Sequence, residues 1–310
     1  MDAADVQPTL EAQLARAQRE HATITPRAAV MVPSVAACDD VRRDGAARVK
    51  TGCSAAEIET HRAFVLRTVA SGSRPVVDWC VSAAPGGPET RLDLPLPLGA
   101  PAVRAALRGM LAEGTASGDA LAALAGDDAE LFELAVLVSS PGAPPQSIHS
   151  DTPFSPRPTS HTCFMALQDV TRPMGPTMVL LGTHRERAHE GLRDCGPDDD
   201  TWTALASGWR PTVASLCAGE ALVMDSRALH CGGANESAET RALFYVSFVS
   251  RGERTAVGDR VGTIHSHLEK GAHTLASLRR RVSRPRPPPA EPSPGEGPSV
   301  EFLRLATTLA

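Results

Sequence analysis

The sequence has few aromatic residues, no long apolar run and no excess of basic residues, and these absences exclude several classes of protein. Aromatic side chains make up 4% of the 310 residues, and the formal net charge is -5. A chain of net negative charge has no electrostatic footprint for nucleic acid. No run of about 18 apolar residues is present, so we expect no membrane span.

The cysteines also lack the pattern of a disulfide framework or of a zinc site. There are 7 of them, an odd number at wide spacing and without a Cys-x-x-Cys pair. Free thiols are typical of reducing compartments, so we expect a cytoplasmic or other reducing intracellular location. The N-terminus lacks the basic and apolar regions of a secretory signal, while its Ala-rich composition leaves organelle targeting open. The oligomeric state is not readable from the sequence.

The pattern of elements predicts one catalytic domain that is mainly β, with flanking α-helices. Short strands separated by Gly, Pro and Asp turns occupy residues 129–250 and are typical of a jelly roll or barrel. Residues 1–128 are predicted to form a mostly helical flanking region, where the prolines within 91–98 argue against a central strand. We expect a helical segment at 251–283, a Pro-rich linker at 284–299 and a terminal helix at 300–310.

The strongest chemical feature is His149-Ser150-Asp151, which follows a predicted strand. Side chains two residues apart in an extended segment point to the same face, so an imidazole and a carboxylate project together. His230 follows a later predicted strand. Two histidines and one carboxylate on one side of a metal form the facial triad of non-haem Fe(II) oxygenases. The spacing alone is weak evidence, because each histidine is also compatible with a hydrogen-bonded core or surface role.

Arg241 follows His230 by eleven residues and begins the predicted strand 242–249. If this strand lies beside His230, the guanidinium enters the mouth of the barrel, where a charge buried alone is costly. A guanidinium fork suits a carboxylate. A 2-oxo dicarboxylate would then chelate iron at one end and meet Arg241 at the other. The alternative is a surface arginine at the start of a strand.

Together these segments resemble the phytanoyl-CoA dioxygenase-like (PhyH) family of Fe(II)/2-oxoglutarate-dependent oxygenases. The resemblance covers roughly residues 129–250 and, more faintly, 44–128. The segments that carry it are Gln146-x-x-His149-x-Asp151, Ala166-Leu167-Gln168-Asp169-Val170, Met174-Gly175-Pro176-Thr177 with Leu181-Gly182-Thr183-His184, and Asp225 to Ser237 with Arg241. One departure is Leu181, which stands where the family's turn usually has proline.

The resemblance implies a fold, a site and a reaction. The fold is a double-stranded β-helix (jelly-roll or cupin-like) core with flanking helices. The site consists of His149, Asp151 and His230 as iron ligands, Arg241 as the salt-bridge partner of 2-oxoglutarate, and Gln146 and Thr177 as its hydrogen-bond partners. The reaction is the oxidation by O2 of an unactivated C–H bond in a small-molecule substrate, while 2-oxoglutarate is converted to succinate and CO2.

Hydroxylation is the expected outcome, because Asp151 is present where halogenating relatives carry a small residue. Substrate placement can divert the same oxidation to desaturation or ring closure. Two other hypotheses stay open: a catalytically silent β-helix protein that binds a ligand, and a metal-dependent cupin enzyme without 2-oxoglutarate. Arg241 argues against the cupin enzyme without 2-oxoglutarate, because such an enzyme has no dicarboxylate for this residue to bind.

Several further residues are weaker candidates. The pairs His184 with His189 and His265 with His267 are expected at the surface or in structural hydrogen bonds rather than on a metal. The candidates for the substrate side, each against an alternative of packing or solvent exposure, are Phe154, Arg157, Met165, Arg172 and Trp209.

Overall fold

The computed structural model describes residues 34–72, 82–83, 89–146, 148–193, 209, 211–252 and 273–283. The Pro-rich linker expected at 284–299, the terminal helix expected at 300–310, and the pair His265 and His267 lie outside these residues. Within them, no helix has the length and apolar composition required to cross a membrane.

The described residues form ten β-strands, six α-helices and one short 3₁₀ helix. The strands are β1 (Ala46–Lys50), β2 (Ser82–Ala83), β3 (Glu89–Pro95), β4 (Glu130–Ser139), β5 (Ser160–Ala166), β6 (Thr177–Leu180), β7 (Pro211–Ala214), β8 (Glu220–Asp225), β9 (His230–Gly232) and β10 (Arg241–Val249). The helices are α1 (Ser34–Asp44), α2 (Ala55–Ala70), α3 (Pro101–Leu111), α4 (Ala116–Ala125), α5 (Glu186–Arg193) and α6 (Leu275–Ser283), and the 3₁₀ helix is Arg172–Met174.

The strands form two antiparallel sheets. The large sheet has the order β1-β8-β5-β10-β4-β3-β2, and the small sheet has the order β7-β6-β9. A cluster of buried side chains from both sheets, including Phe164, Val179 and Tyr245, fills the space between them. This arrangement confirms the predicted mainly β fold with a double-stranded β-helix core.

The central strand β10 shows how the sequence builds both faces of the large sheet. Successive side chains of a strand point to opposite faces. Phe244 and Phe248 therefore join the cluster that packs against the helices, whereas Leu243 and Tyr245 face the small sheet. All nine residues of β10 are buried, as expected for a strand that is covered on both faces.

The flanking helices follow from local signals in the sequence. Ser54 and Glu57 form a capping box, in which the Glu57 N–H donates to Ser54 Oγ and the Ser54 N–H donates to Glu57 Oε2. Pro101 begins α3, where a proline's missing N–H carries no cost. The apolar stripe of α3 includes Val103 and Leu107, which are fully buried in the core cluster that the helices share with the large sheet.

The prediction that prolines keep residues 91–98 out of a central strand is wrong. Strand β3 is hydrogen-bonded to β2 on one side and to β4 on the other. Its proline, Pro95, is the last residue of the strand, so it ends the pairing instead of interrupting it. The described residues before 129 thus supply three strands to the large sheet as well as helices. This matters for the site, because β3 carries Arg91.

Candidate metal centre and anion pocket

His149, Asp151 and His230 converge on one point. One ligand atom from each lies within 4.8 Å of those of the other two. Asp151 Oδ1 is 3.8 Å from His149 Nε2 and 3.6 Å from His230 Nε2. An ion about 2.1 Å from each ligand can join atoms up to roughly 4.2 Å apart, so both distances fit a single ion. The His230 side chain is 7% exposed but that of His149 is 40% exposed, which leaves the centre open on one side.

Backbone pairing sets the separation of the two histidines. His149 and His230 form an antiparallel bridge, in which each N–H donates to the other's carbonyl, at 3.0 and 2.8 Å. Directly opposed residues project from the same face, and the ring centroids lie 4.5 Å apart. Through this bridge, the segment that precedes Asp151 pairs with the edge of β9 that faces away from β6.

A hydrogen bond fixes the tautomer of His230. Its Nδ1 lies 3.0 Å from the carbonyl oxygen of Ala228. A carbonyl only accepts, so Nδ1 carries a hydrogen, and in the neutral imidazole the lone pair is then on Nε2, the nitrogen that faces Asp151. This is the tautomer that metal binding through Nε2 requires.

A buried ion pair supports the turn that precedes His230. The Arg227 guanidinium donates from Nε and Nη2 to the two carboxylate oxygens of Asp225, at 2.9 and 2.7 Å. Burial alone disfavours the charged carboxylate, but the hydrogen bonds and charge of Arg227 outweigh it and hold the pKa of Asp225 below its usual value. The ion pair thus holds the turn between β8 and β9 that leads to His230.

Beyond the candidate metal ligands, two arginines are buried in one row of the large sheet. Arg91 on β3 and Arg241 on β10 both pair in register with Ser139 on β4, and each is 1% exposed. Arg91 Nη1 and Arg241 Nη2 each donate to Ser139 Oγ at 2.9 Å. Arg241 was predicted from the sequence to bind a carboxylate, whereas Arg91 was not.

The two guanidiniums have no acidic partner among the described residues. Their remaining hydrogen bonds go to backbone carbonyls: Arg241 to Met174, and Arg91 to Pro144 and Gly233. The Nε atom of each is buried without any partner in the described part of the chain. Burial, reinforced by the neighbouring charge of Arg91, lowers the pKa of Arg241 to about 9. A bound anion would relieve this unfavourable state.

Gly232 lies between the candidate metal ligands and the arginines. It follows His230 by two positions on β9, roughly 6.5 Å along a strand and on the same face. A Cβ at Gly232 would lie 2.9 Å from Arg91 Nη1 and 3.3 Å from Arg241 Nη2. The two guanidiniums therefore occupy the same face as the His230 imidazole, one two-residue step away.

The two predicted hydrogen-bond partners of the cosubstrate also flank Gly232. Gln146 Oε1 accepts the Gly232 N–H at 2.9 Å, which leaves the amide NH2 group of Gln146 as its donor. Thr177, the first residue of β6, is the cross-strand neighbour of Gly232.

The candidates for the substrate side lie in different surroundings. Phe154 packs near the His189 ring and the Arg227 guanidinium, and Arg157 is exposed. Trp209 is half-buried against Leu180, Ala188 and Leu229. Arg172 lies in the 3₁₀ helix and has a buried Nη2 without a partner among the described residues.

Met165 does not face the candidate metal ligands. It is fully buried in the cluster on the helix side of the large sheet, because the alternation of β5 sends Phe164 and Ala166 to the inner face instead. His184 and His189 are also buried, and each lies within hydrogen-bond distance of a backbone carbonyl, that of Arg42 and of Arg227 respectively. For these two histidines the structural hydrogen bond was the correct alternative and the surface location was wrong.

The fold and the clustered side chains first define a class, that of double-stranded β-helix proteins with a candidate His-Asp-His metal centre. Residues 41–243 match the family model described as phytanoyl-CoA dioxygenase (PhyH). The chain belongs to this family and thus to the non-haem iron- and 2-oxoglutarate-dependent oxygenases. No curated protein matches the chain.

Solved structures share the fold. One is the epimerase SnoN in complex with Fe3+, alpha-ketoglutarate and nogalamycin RO, at 23% identity and TM-score 0.54, covering 77% of this chain and 94% of SnoN. Another is EctD from S. alaskensis in its apo form, at 18% identity and TM-score 0.57, covering 81% and 92%. A third is the non-haem alpha-ketoglutarate-dependent carbocyclase SnoK from nogalamycin biosynthesis, at 19% identity and TM-score 0.53, covering 72% and 87%.

Proposed function

We propose that this chain is an Fe(II)- and 2-oxoglutarate-dependent dioxygenase that hydroxylates an unactivated C–H bond of a small molecule. The observation that carries the proposal is the combination of a three-ligand cluster with a buried arginine that has no acidic partner among the described residues. Neither feature is required to build the fold. The family to which the chain belongs supports the same reaction class.

The ligand set suits iron. His149, Asp151 and His230 supply two neutral imidazoles and one carboxylate, and three ligands leave other positions at the metal open. When bound, Fe(II) together with O2 and 2-oxoglutarate supplies the oxidation, and 2-oxoglutarate leaves as succinate and CO2. The carboxylate of Asp151 also fills the position at which halogenating relatives leave space, which favours hydroxylation.

Arg241 is proposed to bind the distal carboxylate of 2-oxoglutarate. Its guanidinium carries five N–H donors, and within the described part of the chain it donates two hydrogen bonds, to Met174 and Ser139. A carboxylate accepts two parallel hydrogen bonds from such a fork. The step of roughly 6.5 Å from His230 to Gly232 suits a ligand with an oxo-acid group at one end and a carboxylate at the other.

Gln146 and Thr177 are proposed to hold the same cosubstrate from the small sheet. Both lie beside Gly232, and both carry a hydrogen-bond donor, the amide NH2 group and the hydroxyl. Their task is orientation of the ligand, which lowers the entropic cost of the reaction.

The proposal is tested by succinate formation. Purified protein with Fe(II), ascorbate and 2-oxoglutarate should release succinate slowly even without the substrate. Asp151→Ala should abolish this release while circular dichroism stays unchanged, and Asp128→Ala, which alters an exposed carboxylate at the surface, should retain it. Absence of both succinate and metal binding in the wild-type protein would rule out the proposed function.

Ring closure is the second candidate, because the carbocyclase SnoK shares the fold. Once a substrate is found by metabolite screening, the mass of the product separates the two reactions. Hydroxylation adds one oxygen atom, whereas ring closure and desaturation each remove two hydrogen atoms.

A further inference from the structure

We propose that Glu133 is a specificity-determining residue, which selects a substrate that carries a cationic nitrogen group such as a protonated amine. This inference rests on the proposed function and extends it from the cosubstrate to the substrate. It assigns the substrate a charge, which the fold leaves open.

Strand alternation turns Glu133 to the inner face of the large sheet, the face that looks toward the small sheet. Ala135 belongs to the cluster between the two sheets, and Ser139 accepts hydrogen bonds from the two buried arginines and forms the arginine row with them. Glu133 lies two and six positions before these residues on β4, so it shares their face. Its carboxylate is roughly 20 Å along the strand from the arginine row, which places it outside the anion pocket.

A row of buried hydroxyls points toward the Glu133 carboxylate. The Ser247 hydroxyl donates to Glu133 Oε2, Thr162 Oγ1 lies 2.8 Å from Ser247 Oγ, and Ser226 Oγ lies 3.4 Å from Thr162 Oγ1. A hydroxyl has one hydrogen to donate. Because Ser247 donates its own to Glu133, Thr162 must donate to Ser247, and Ser226 to Thr162. Hydrogen bonds that all run toward the carboxylate stabilise its charged form.

The far end of this hydroxyl row reaches the candidate metal centre. The Ser226 carbonyl accepts the N–H of Thr152, the residue after Asp151, at 3.0 Å. At its other end the same segment is anchored beside the arginine row through Gln146. His149 and Asp151 therefore lie between two anchors, one at each row, and face the stretch of the large sheet that separates the rows.

This stretch of the large sheet is acidic. Apart from the two arginines of the arginine row, β3, β4 and β10 contain no basic residue. Asp93 lies two positions after Arg91 on β3, so it shares the inner face, and its Oδ2 accepts the Tyr245 hydroxyl at 2.8 Å. With Glu133 it gives the wall two carboxylates, and such a wall favours a ligand of positive charge.

A ligand can reach this wall from the metal centre. The side chains of His149 and Asp151 are 40% and 32% exposed, and Leu137 and Glu133 on the inner face of β4 are both half-buried. A substrate can thus place an apolar part against Leu137 and its cationic group at Glu133. A carboxylate has about four acceptor sites, so an ammonium group can bind together with the Ser247 hydroxyl.

A purely structural role for Glu133 is the competing interpretation. As the acceptor for Ser247, it would only hold the hydroxyl row in place. Loss of that role would loosen the site and weaken every ligand equally, whatever its charge. A role in substrate selection instead depends on the sign of the ligand's charge.

The test measures melting temperatures of the Fe(II)- and 2-oxoglutarate-loaded protein under anaerobic conditions, with a panel of primary amines, alcohols and carboxylic acids of matched carbon number. Amines should raise the melting temperature of the wild-type protein most. Glu133→Gln keeps an oxygen for the Ser247 hydroxyl but removes the charge, and it should weaken amine binding about 10- to 100-fold. Asp128→Asn, which neutralises an exposed carboxylate, should bind the amines as the wild-type protein does.

Two further measurements separate recognition from folding. Glu133→Lys reverses the charge and should shift the preference from amines to carboxylic acids. Glu133→Gln should bind 2-oxoglutarate within about two-fold of the wild-type affinity, as measured by the visible absorption of the iron-bound oxo acid, because the arginine row is untouched.

Three results would overturn the inference while the proposed function stands: no preference for amines in the wild-type protein, wild-type amine affinity in Glu133→Gln, or equal weakening of amines and 2-oxoglutarate in that variant. A wild-type protein that binds no 2-oxoglutarate and makes no succinate would instead overturn the proposed function itself.

Discussion

His149 and His230 are tied together by their own backbone, because each donates its peptide N–H to the other's carbonyl, at 3.0 and 2.8 Å. The two residues come from segments far apart in the sequence, so the pairing itself brings their imidazoles to a centroid distance of 4.5 Å. A metal ion bound to both side chains adds a second link across the same pair. Metal binding should therefore be coupled to the stability of this edge of the small sheet.

Fe(II) added under anaerobic conditions should raise the melting temperature of the protein. An ion that binds the native state alone stabilises it by about 2.7 kcal/mol at a metal concentration 100 times the dissociation constant. For a chain of this size that corresponds to roughly 4 °C. Differential scanning calorimetry with and without Fe(II), and again after a chelator has removed the metal, measures the shift.

Variants assign that shift to the proposed ligands. His149→Ala and Asp151→Ala should each reduce it strongly, whereas Asp128→Ala should keep it because that carboxylate is exposed. A metal-induced shift that persisted in both ligand variants would show that the ion binds elsewhere.

Arg227→Met should destabilise the protein and weaken metal binding. Asp225 is 2% exposed and Arg227 is 6% exposed, so loss of the guanidinium leaves a carboxylate buried and unpaired. Removal of one partner from a buried pair costs about 3–5 kcal/mol. Urea denaturation measures the loss, and an Fe(II) titration should show weaker binding, because the pair supports the turn before His230.

An exposed ion pair provides the matched control. Arg251 and Asp128 lie 3.5 Å apart with side chains 77% and 57% exposed, and Arg251→Met should change the stability by no more than about 1 kcal/mol. Equal losses for Arg227→Met and Arg251→Met would contradict the supporting role of the buried pair.

The sequence was most informative where the relevant geometry is local. His149 and Asp151 are two residues apart, and the alternation of an extended segment is enough to place both side chains on one face. The capping box of Ser54 and Glu57 is local in the same way. Arg241 could be predicted because it begins a strongly apolar strand, where a buried charge is costly unless it has a partner.

Long-range register was not predictable. Arg91 reaches the site only because β3 pairs with β4 and β4 pairs with β10, and nothing in the 91–98 segment reveals those partners. The bridge between His149 and His230 was missed for the same reason. Met165 was placed on the substrate side although alternation alone leaves the choice of face open. A shift of one residue reverses every side chain of a strand.

Acidification should destabilise the protein between pH 6.5 and pH 4. Burial lowers the pKa of His61 and of His161 to about 4 from 6.5, and both side chains are at most 1% exposed. Between pH 6.5 and pH 4 the unfolded chain binds more protons than the native state does, because these two imidazoles stay neutral in the native state. The contribution of each histidine to the free energy of unfolding is therefore complete above the pKa of the unfolded state and is lost as the pH falls toward the pKa of the folded state. The loss is up to about 1.4 kcal/mol per pH unit for each histidine.

Urea denaturation at pH 7, 6 and 5 measures this dependence. His61→Leu should reduce the slope by roughly 1.4 kcal/mol per pH unit, since one of the two groups no longer titrates. Phe64→Leu is the matched control, because Phe64 contacts the His61 ring but cannot bind a proton, and the slope should persist. An unchanged slope in His61→Leu would refute the assignment.

Gly232→Ala should impair cosubstrate binding more than folding. The added Cβ would lie 2.7 Å from Gln146 Oε1 and 2.9 Å from Arg91 Nη1, and both atoms end flexible side chains that can move aside, so the loss of stability should stay within roughly 1–3 kcal/mol. The methyl group nevertheless displaces the guanidiniums, and the KM for 2-oxoglutarate should rise about 10-fold or more, because small displacements in a binding site are costly. Gly99→Ala, whose Cβ would meet nothing within 4 Å, should leave the KM unchanged. If Gly232→Ala kept the wild-type KM in succinate assays, 2-oxoglutarate would have to bind away from the arginine pair.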